Sequence, residues 1–412
     1  MTTKYLTGAY PGGYTVANNV SFLDIESTAS IGGTGIVGPT AATSSIQITN
    51  NGTVRATIGY GYGIDIFQTG ANIVNGQSNY SALIEGSKIG ISGSNTTVTN
   101  FGMIEGLGAS YAYAGVVLGI NSAVTNGSAA DTGALIEGSE GISGRWSTVR
   151  NFGSIVGKND TAVYFGGGNG SNSVMVANGS QADRVAHIQG AYNGVFLRYT
   201  IGTVTNYGII SAGGGEGVAL LYGGLINNFG MITATGASGT GVELRGKVSV
   251  FNGSAQDTTA SIAGVAVGIT SSGNLPATIV NYGTVLGTGS SGYGIVLATG
   301  GRIRNGSLQD SAALIQGGKG GVSLQSNRAT IVNFGTIVGG ALGGGVMMSG
   351  ANDILINGAP THTMALIGGG GASVVSGTAD TITNYGTISG LSLTSTTDVL
   401  KVEAGSVFET PV

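Results

Sequence analysis

The stretch Val98-Thr99-Asn100-Phe101-Gly102-Met103-Ile104-Glu105-Gly106 sets the architecture, because its pattern returns along most of the chain. The pattern is a β-branched residue, a spacer, Asn, an aromatic residue, Gly, a spacer and Ile. It recurs at Asn151-Phe152-Gly153, Asn206-Tyr207-Gly208, Asn228-Phe229-Gly230, Asn281-Tyr282-Gly283, Asn333-Phe334-Gly335 and Asn384-Tyr385-Gly386, with a variant at Asn50-Asn51-Gly52. A second form, in which Gly follows Asn directly, occurs at Asn75-Gly76, Asn126-Gly127, Asn178-Gly179, Asn252-Gly253, Asn305-Gly306 and Asn357-Gly358.

The spacing of these fourteen Asn markers predicts a solenoid. From Asn50 to Asn384 there are 334 residues over thirteen intervals, a mean of about 26, and no interval is shorter than 22 or longer than 29. A period of this length is typical of stacked repeats, in which each unit buries its apolar face only against its neighbours.

Each repeat reads as three short strands joined by Gly-rich corners. The first strand ends in Asn, as in Thr97-Val98-Thr99-Asn100, and the second carries Gly-x-Ile-x-Gly. The third is Gly-Val-x-Leu, as in Gly115-Val116-Val117-Leu118. Such strands are too short and too frequent for helices or a sandwich. We therefore predict an all-β, right-handed, three-faced parallel β-helix with about 14–16 coils of roughly 26 residues.

Strand alternation predicts which side chains point inward. One Ile or Val follows each Asn marker at the same place in the second strand, and we expect these residues to form an inner column. They are Val54, Ile84, Ile104, Ile136, Ile155, Ile188, Ile210, Ile232, Ile262, Val285, Ile315, Ile337, Ile367 and Ile388. We expect the fourteen Asn side chains to point inward at a corner and to form a structural ladder of amide hydrogen bonds.

The repeat divides the chain into three parts. Residues 1–45 lack the full pattern and are predicted to form an initial coil or N-terminal cap, because a first repeat has no neighbour below it. Residues 46–390 are the β-helix repeats. Residues 391–412 are predicted to be a terminal strand, either an uncapped end or an export or assembly segment.

Composition restricts the partners and the location. The net charge is -4, the pI is about 5.1 and only 8% of residues are charged, so no basic patch predicts nucleic-acid binding. No apolar run approaches the length of a membrane span, and the N-terminus lacks the apolar core of a secretory signal. Zero Cys is consistent with an exported bacterial repeat protein. We expect a secreted or cell-surface location with the export route open.

Three stacked glutamates are the candidate binding site. Glu85, Glu105 and Glu137 occupy the outward position after the core Ile in successive coils, at a spacing of roughly 4.8 Å. One interpretation is a solvated acidic stripe, partly neutralised by Lys88 or Arg145. The alternative is a Ca²⁺ or sugar site, because stacked carboxylates attract a cation. On the second interpretation Trp146 lies nearby, and apart from this Ca²⁺ we expect no cofactor.

Two further sets of residues have a structural and a functional interpretation. Asp131, Asp183, Asp257 and Asp310 each lie five positions past an Asn and are predicted to cap turns. The corner aromatic residues are predicted to point outward, either to cover the longer loop of the next coil or to form an interaction edge. They are Phe101, Phe152, Tyr207, Phe229, Tyr282, Phe334 and Tyr385.

The Asn-x-Gly-x-Ile tracts, such as Asn281-Tyr282-Gly283-Thr284-Val285, resemble the parallel β-helix passenger regions of bacterial autotransporters and related large exported repeat proteins. The resemblance covers about residues 45–390. It implies the fold and an exported location, whereas solenoids of this kind serve as adhesins, fibres, proteases and lyases alike. No catalytic residue is therefore transferred. The chain also departs from the autotransporter pattern, because we find no C-terminal membrane barrel in it.

We predict a non-enzymatic structural protein that self-associates into filaments or a surface layer. Its partner is a second copy of itself, which docks on the apolar end formed by Leu400, Val402, Val407 and Phe408. A carbohydrate- or cell-binding adhesin that uses surface polysaccharide is one alternative. The other is a polysaccharide lyase or glycoside hydrolase, in which Glu85, Glu105 or Glu137 acts beside a basic residue.

Overall fold

The computed structural model describes residues 2–39, 45–66, 70–110, 112–167 and 173–409. These residues belong to two compact units. The first comprises Met1–Gly202 and Tyr207–Ala212, and the second comprises Thr203–Asn206 and Gly213–Val412. Within the described ranges, no helix is long and apolar enough to cross a lipid bilayer.

Each unit is a parallel β-solenoid with three sheets, and each coil of about 25 residues contributes one strand to each sheet. We call the sheets faces A, B and C in the order in which the chain visits them. The predicted all-β, three-faced parallel β-helix is therefore confirmed.

The strands of the first unit pair in parallel with the equivalent strands one coil away. Face A contains Thr2–Leu6, Val20–Ile25, Ile46–Asn50, Ala71–Asn75, Thr97–Asn100, Ala123–Asn126, Thr148–Asn151 and Ser173–Asn178. Face B contains Ala9–Tyr10, Ser30–Ile31, Thr53–Ala56, Leu83–Gly86, Met103–Gly106, Leu135–Gly138, Ser154–Gly157, His187–Gly190 and Ile209–Ala212. Face C contains Tyr14–Thr15, Ile36–Val37, Tyr62–Ile66, Ile89–Gly93, Ala114–Leu118, Glu140–Gly144, Val163–Phe165 and Val195–Leu197.

The second unit repeats this arrangement, and the strand Ile201–Asn206 contributes residues to both units. Face A contains Gly224–Asn228, Val248–Asn252, Ala277–Asn281, Gly301–Asn305, Ala329–Asn333, Ile354–Asn357, Thr381–Asn384 and Val399–Val402. Face B contains Met231–Ala234, Ser261–Gly264, Thr284–Gly287, Leu314–Gly317, Thr336–Gly339, Leu366–Gly368, Thr387–Ile388 and Val407–Phe408. Face C contains Glu216–Leu220, Thr240–Leu244, Val267–Ser271, Tyr293–Leu297, Gly320–Leu324, Gly344–Met348, Val374–Val375 and Leu391–Ser392.

The interior of each unit consists of stacked columns of like residues. All fourteen Ile and Val residues predicted for the face B column have no exposed surface. In register, Ile84 pairs with Ile104 and Ile104 pairs with Ile136. Burying a side chain of this size stabilises the fold by about 1.5–3 kcal/mol, so the columns are the main source of stability.

Residues 2–39 form ordinary coils that the marker pattern did not reveal. Leu6 pairs with Ile25, and Ile25 pairs with Asn50, so these two apolar residues occupy the Asn position of the first two coils. Both side chains are fully buried. Because an apolar residue fills the same inward site without an amide, the coil continues although the Asn marker is lost. Of the predicted initial segment, residues 1 and 40–44 lie outside the described ranges.

Candidate functional site

The predicted Asn ladder is continuous within each unit. Within the two units, twelve of the fourteen Asn side chains donate their Nδ2–H to the Oδ1 of the Asn in the next coil, at 2.7–2.9 Å. The Nδ2 atoms also donate to backbone carbonyls; that of Asn100, for example, donates to Gly102 and Leu135 at 3.1 Å. The ladder residues are at most 1% exposed. The structure thus gives these residues a scaffold role, since their amides are used within the protein.

The corner between faces C and A carries a second polar ladder that the sequence did not reveal. In the second unit, Asp353 accepts a hydrogen bond from the Ala329 N–H at 2.7 Å, and Asp380 accepts one from the Asp353 N–H at 2.9 Å. Asp398 continues the series by accepting from the Asp380 N–H at 3.0 Å. In the first unit, Ser122 accepts from the Thr96 N–H in the same way.

This ladder has a backbone signature. The residue before Thr96, Ser122 and Asp353 has a left-handed backbone, with φ of 51° at Asn95, 53° at Asn121 and 60° at Asn352. Asn tolerates this conformation better than most residues. A polar residue preceded by Asn was therefore a usable signal, but Trp146 and Ala379 occupy the same backbone position and obscure it.

Two buried carboxyls lead us to expect stability that falls as the pH rises. Burial raises the pKa of Asp353 from 3.8 to about 6, backbone hydrogen bonds oppose this, and Asp380 adds repulsion. Burial likewise raises the pKa of Glu140 to about 7. Between pH 4 and these values the folded chain keeps protons that the unfolded chain has lost, so raising the pH favours unfolding.

The Oδ2 of Asp353 is buried and has no hydrogen-bond partner among the described residues, so ionisation would place charge on an oxygen with nothing to compensate it. We expect Asp353→Asn to reduce the pH slope of the second unit by at most about 3 kcal/mol between pH 4 and 7. Burial also raises the pKa of Glu216 in this unit, so part of the slope should remain. Chemical denaturation of both proteins at a series of pH values measures this. An unchanged slope in the variant would contradict it.

The three glutamates do stack in the first unit, and cations lie at both ends of the stack. Glu85 pairs in register with Glu105, and Glu105 with Glu137. Arg55 binds Glu85 at 3.1 Å, while the Lys158 ammonium binds Glu105 at 2.8 Å and Glu137 at 2.6 Å. Burial would lower the pKa of Lys158, but its bonds to the two carboxylates outweigh burial and raise it. The carboxylates are therefore already paired within the chain.

The neutralising cations differ from those predicted. Lys88 lies over the Tyr113 ring at 5.8 Å, and Arg145 lies beside Gly167. Trp146 lies in the turn between faces C and A, whereas the glutamates are on face B. Arg55 follows the column residue Val54, so it pairs directly with Glu85. Among the described residues, no three acidic or His side chains are grouped in a way that would hold a metal ion.

The corner aromatic residues are half-buried in both units. Phe334 packs against a loop of the next coil. The Phe334 ring meets the His362 ring edge-on at 5.7 Å, and His362 Nε2 lies 2.7 Å from the Phe334 carbonyl oxygen. Arg304 lies over the same ring at 5.6 Å. His362 belongs to the longer loop of the next coil, so Phe334 is placed as the loop-covering interpretation predicts. The seven residues are Phe101, Phe152, Tyr207, Phe229, Tyr282, Phe334 and Tyr385.

The aspartates of the longer loops close their turns, as predicted. Ser128 and Asp131 exchange two backbone hydrogen bonds, and the Asp131 carboxylate accepts from the Gly133 N–H at 3.2 Å. Backbone pairs of the same kind join Ser180 to Asp183, Ser254 to Asp257 and Ser307 to Asp310. These carboxylates therefore stabilise local turns.

The predicted assembly end, formed by Leu400, Val402, Val407 and Phe408, lies on the last strands of faces A and B that the structure describes. Val399–Val402 pairs with Thr381–Asn384, and Val407–Phe408 pairs with Thr387–Ile388. Among the described residues, no further strand pairs with the other side of either one. Leu400 pairs in register with Ile382, Val402 with Asn384 and Phe408 with Ile388, so these residues continue the inner columns. Val402 is 62% exposed and Phe408 is 37% exposed, whereas Leu400 is half-buried.

The fold and these columns define the protein as a β-solenoid repeat protein. No protein-family model, no curated protein and no solved structure matches the chain.

Proposed function

We propose that this β-solenoid is an extracellular structural protein that self-associates through its C-terminal coil. The observation that carries the proposal is that Leu400, Val402 and Phe408 continue inner columns of the second unit and that Val402 and Phe408 expose apolar surface. An unpaired strand beside such surface favours addition of another strand. The low content of charged residues, 8%, provides little repulsion between copies.

The N-terminal coil has a feature that favours contact between two C-terminal coils instead. Lys4 pairs in register with the buried Leu23, so a cationic side chain occupies a column position of the first strand. A head-to-tail contact would bring this ammonium against apolar column ends and would leave it without water or a partner. A charged side chain at such a position is a known protection against strand addition. We therefore propose a two-fold contact between C-terminal coils, which closes on itself as a dimer.

We expect the mass in solution to double with rising concentration and to stay that of a monomer in the double variant Val402→Lys, Phe408→Lys. Two charges at the column ends would have to be buried in the contact, which costs several kcal/mol. Light scattering measures the mass, and negative-stain microscopy distinguishes dimers from filaments. Val185→Lys is the matched control, because Val185 is 70% exposed in a loop of the first unit. A wild-type protein that stays monomeric at high concentration would refute the proposal.

A further inference from the structure

The outer surface of face C in the first unit contains an open groove of about 590 Å³ that the sequence did not indicate. Its floor includes Val117 and Ser143, and its walls include Arg145 and Tyr164. In register, Val117 pairs with Ser143 and Ser143 with Tyr164, so these side chains form one outward column. Small side chains in two coils next to a large one in the third produce the depression. Its volume is within the range of small-ligand sites.

Among the described residues, one ring stacks on Tyr164, and the other face of Tyr164 lies toward the groove. Its ring stacks on Phe196 of the next coil, with centroids 6.0 Å apart and planes 19° apart. The opposite face of the ring is turned toward Ser143, whose side chain is too small to cover it. A Cβ at Gly166 would lie 2.7 Å from the phenol carbon Cζ, so Gly166 provides the space in which the ring lies.

Arg145 supplies the charge of the groove. Its side chain is exposed and makes no ion pair with a described residue, and a Cβ on Gly167 would lie 3.0 Å from its Nε. Ser94 and Ser143 add hydroxyl groups. Ser143 also hydrogen-bonds Glu140, whose pKa burial raises to about 7, so below neutral pH this carboxyl adds little negative charge. The groove thus combines one cation, one aromatic face and hydroxyl groups.

We propose that this groove binds an acidic saccharide. The apolar face of a sugar ring stacks on Tyr164, and the sugar carboxylate takes a charge-assisted, two-point hydrogen bond from the Arg145 guanidinium. Ser94 and Ser143 bind ring hydroxyls. An acidic peptide backbone would satisfy Arg145 but has no apolar C–H ring face to lie on Tyr164, which is why a sugar acid is favoured. The site does not depend on self-association.

Calorimetry at pH 6 with a tetrasaccharide of galacturonic acid tests the proposal, with maltotetraose and tetraglutamate as comparison ligands. We expect the acidic tetrasaccharide to bind at least about tenfold more tightly than either, and Arg145→Gln and Tyr164→Ala each to weaken it about tenfold or more. Tyr164→Phe keeps the ring face and should bind within about threefold of the wild type. Arg150→Gln is the matched control, because Arg150 is exposed on face A of the same unit.

Equal losses in Arg145→Gln and Arg150→Gln would overturn the proposal, because the attraction would then come from general charge. Binding of tetraglutamate as tight as that of the sugar, or no binding of the tetrasaccharide at millimolar concentration, would also overturn it. Far-UV circular dichroism of each variant checks that the coils are intact, and Tyr164→Phe separates loss of the ring face from damage to the fold.

Discussion

We expect Gly283→Ala to lower the free energy of unfolding of the second unit by about 3–5 kcal/mol. A Cβ at Gly283 would overlap the backbone carbonyl oxygen of Ala260 in the neighbouring coil and lie 2.9 Å from its carbonyl carbon. The obstacle is backbone, so no rotamer change relieves it. The same carbonyl accepts the Thr284 N–H at 2.9 Å, and separating the coils would also lengthen this hydrogen bond.

Guanidinium chloride unfolding measures the loss, and Gly371→Ala is the matched control. A Cβ at Gly371 would meet only the Leu342 carbonyl oxygen, at an ordinary 3.8 Å. We expect the control to change stability by less than about 0.5 kcal/mol. If Gly283→Ala were no more destabilising than Gly371→Ala, close packing of the coils at this corner would be refuted.

This close approach explains why the repeat contains Gly after Asn and an aromatic residue. The equivalent glycines face the carbonyl of an Ala in the adjacent coil in the same way, as Gly102 faces Ala82 and Gly335 faces Ala313. Glycine recurs at this position because only a residue without a side chain allows the backbones of adjacent coils to approach so closely. Together with the Asn and Ile columns, this constant residue made the fold predictable from spacing alone.

Features that depend on side-chain length were harder to predict. Lys158 binds Glu137 of the adjacent coil and Glu105 of the coil beyond it. Register alone predicts contacts between adjacent coils and does not show that a long side chain spans two of them. Arg55 was within reach of prediction, because it follows Val54 in the same column that placed Glu85. The outward position after Val54 is Arg55, so extending the glutamate stack by one coil toward the N-terminus identifies this cation, which Lys88 and Arg145 do not replace.

Features that depend on corner geometry left weaker signals. The ladder at the corner between faces C and A uses Thr96, Ser122, Asp353 and Asp380, so the property shared along it is polarity and not one residue type. The groove over face C requires two glycines to bring Tyr164 and Arg145 together. Nothing in the spacing of the markers indicates which coil has a small outward residue.

We expect Asn281→Ala to destabilise the second unit by about 3 kcal/mol, since it leaves several buried groups without partners. Asn281 Nδ2 donates to Asn305 Oδ1 at 2.8 Å, to the Gly283 carbonyl at 3.0 Å and to the Leu314 carbonyl at 3.1 Å. Its Oδ1 accepts from Asn252 Nδ2 at 2.8 Å. Hydrogen exchange should quicken mainly in the neighbouring coils, because each repeat contacts only its neighbours.

Asn281→Asp separates the lost hydrogen bonds from the lost volume. An aspartate keeps the shape and the acceptor, but its carboxylate would face the three oxygens that now accept from Nδ2. We expect it to cost more than Ala at pH 7 and less at pH 4, because its pKa in the folded state would lie above the unfolded value and protonation restores one donor. Asn274→Ala, at an exposed site, is the control. Equal stability of Asn281→Asp at both pH values would show that the ladder tolerates a carboxylate, and so that its hydrogen bonds contribute little.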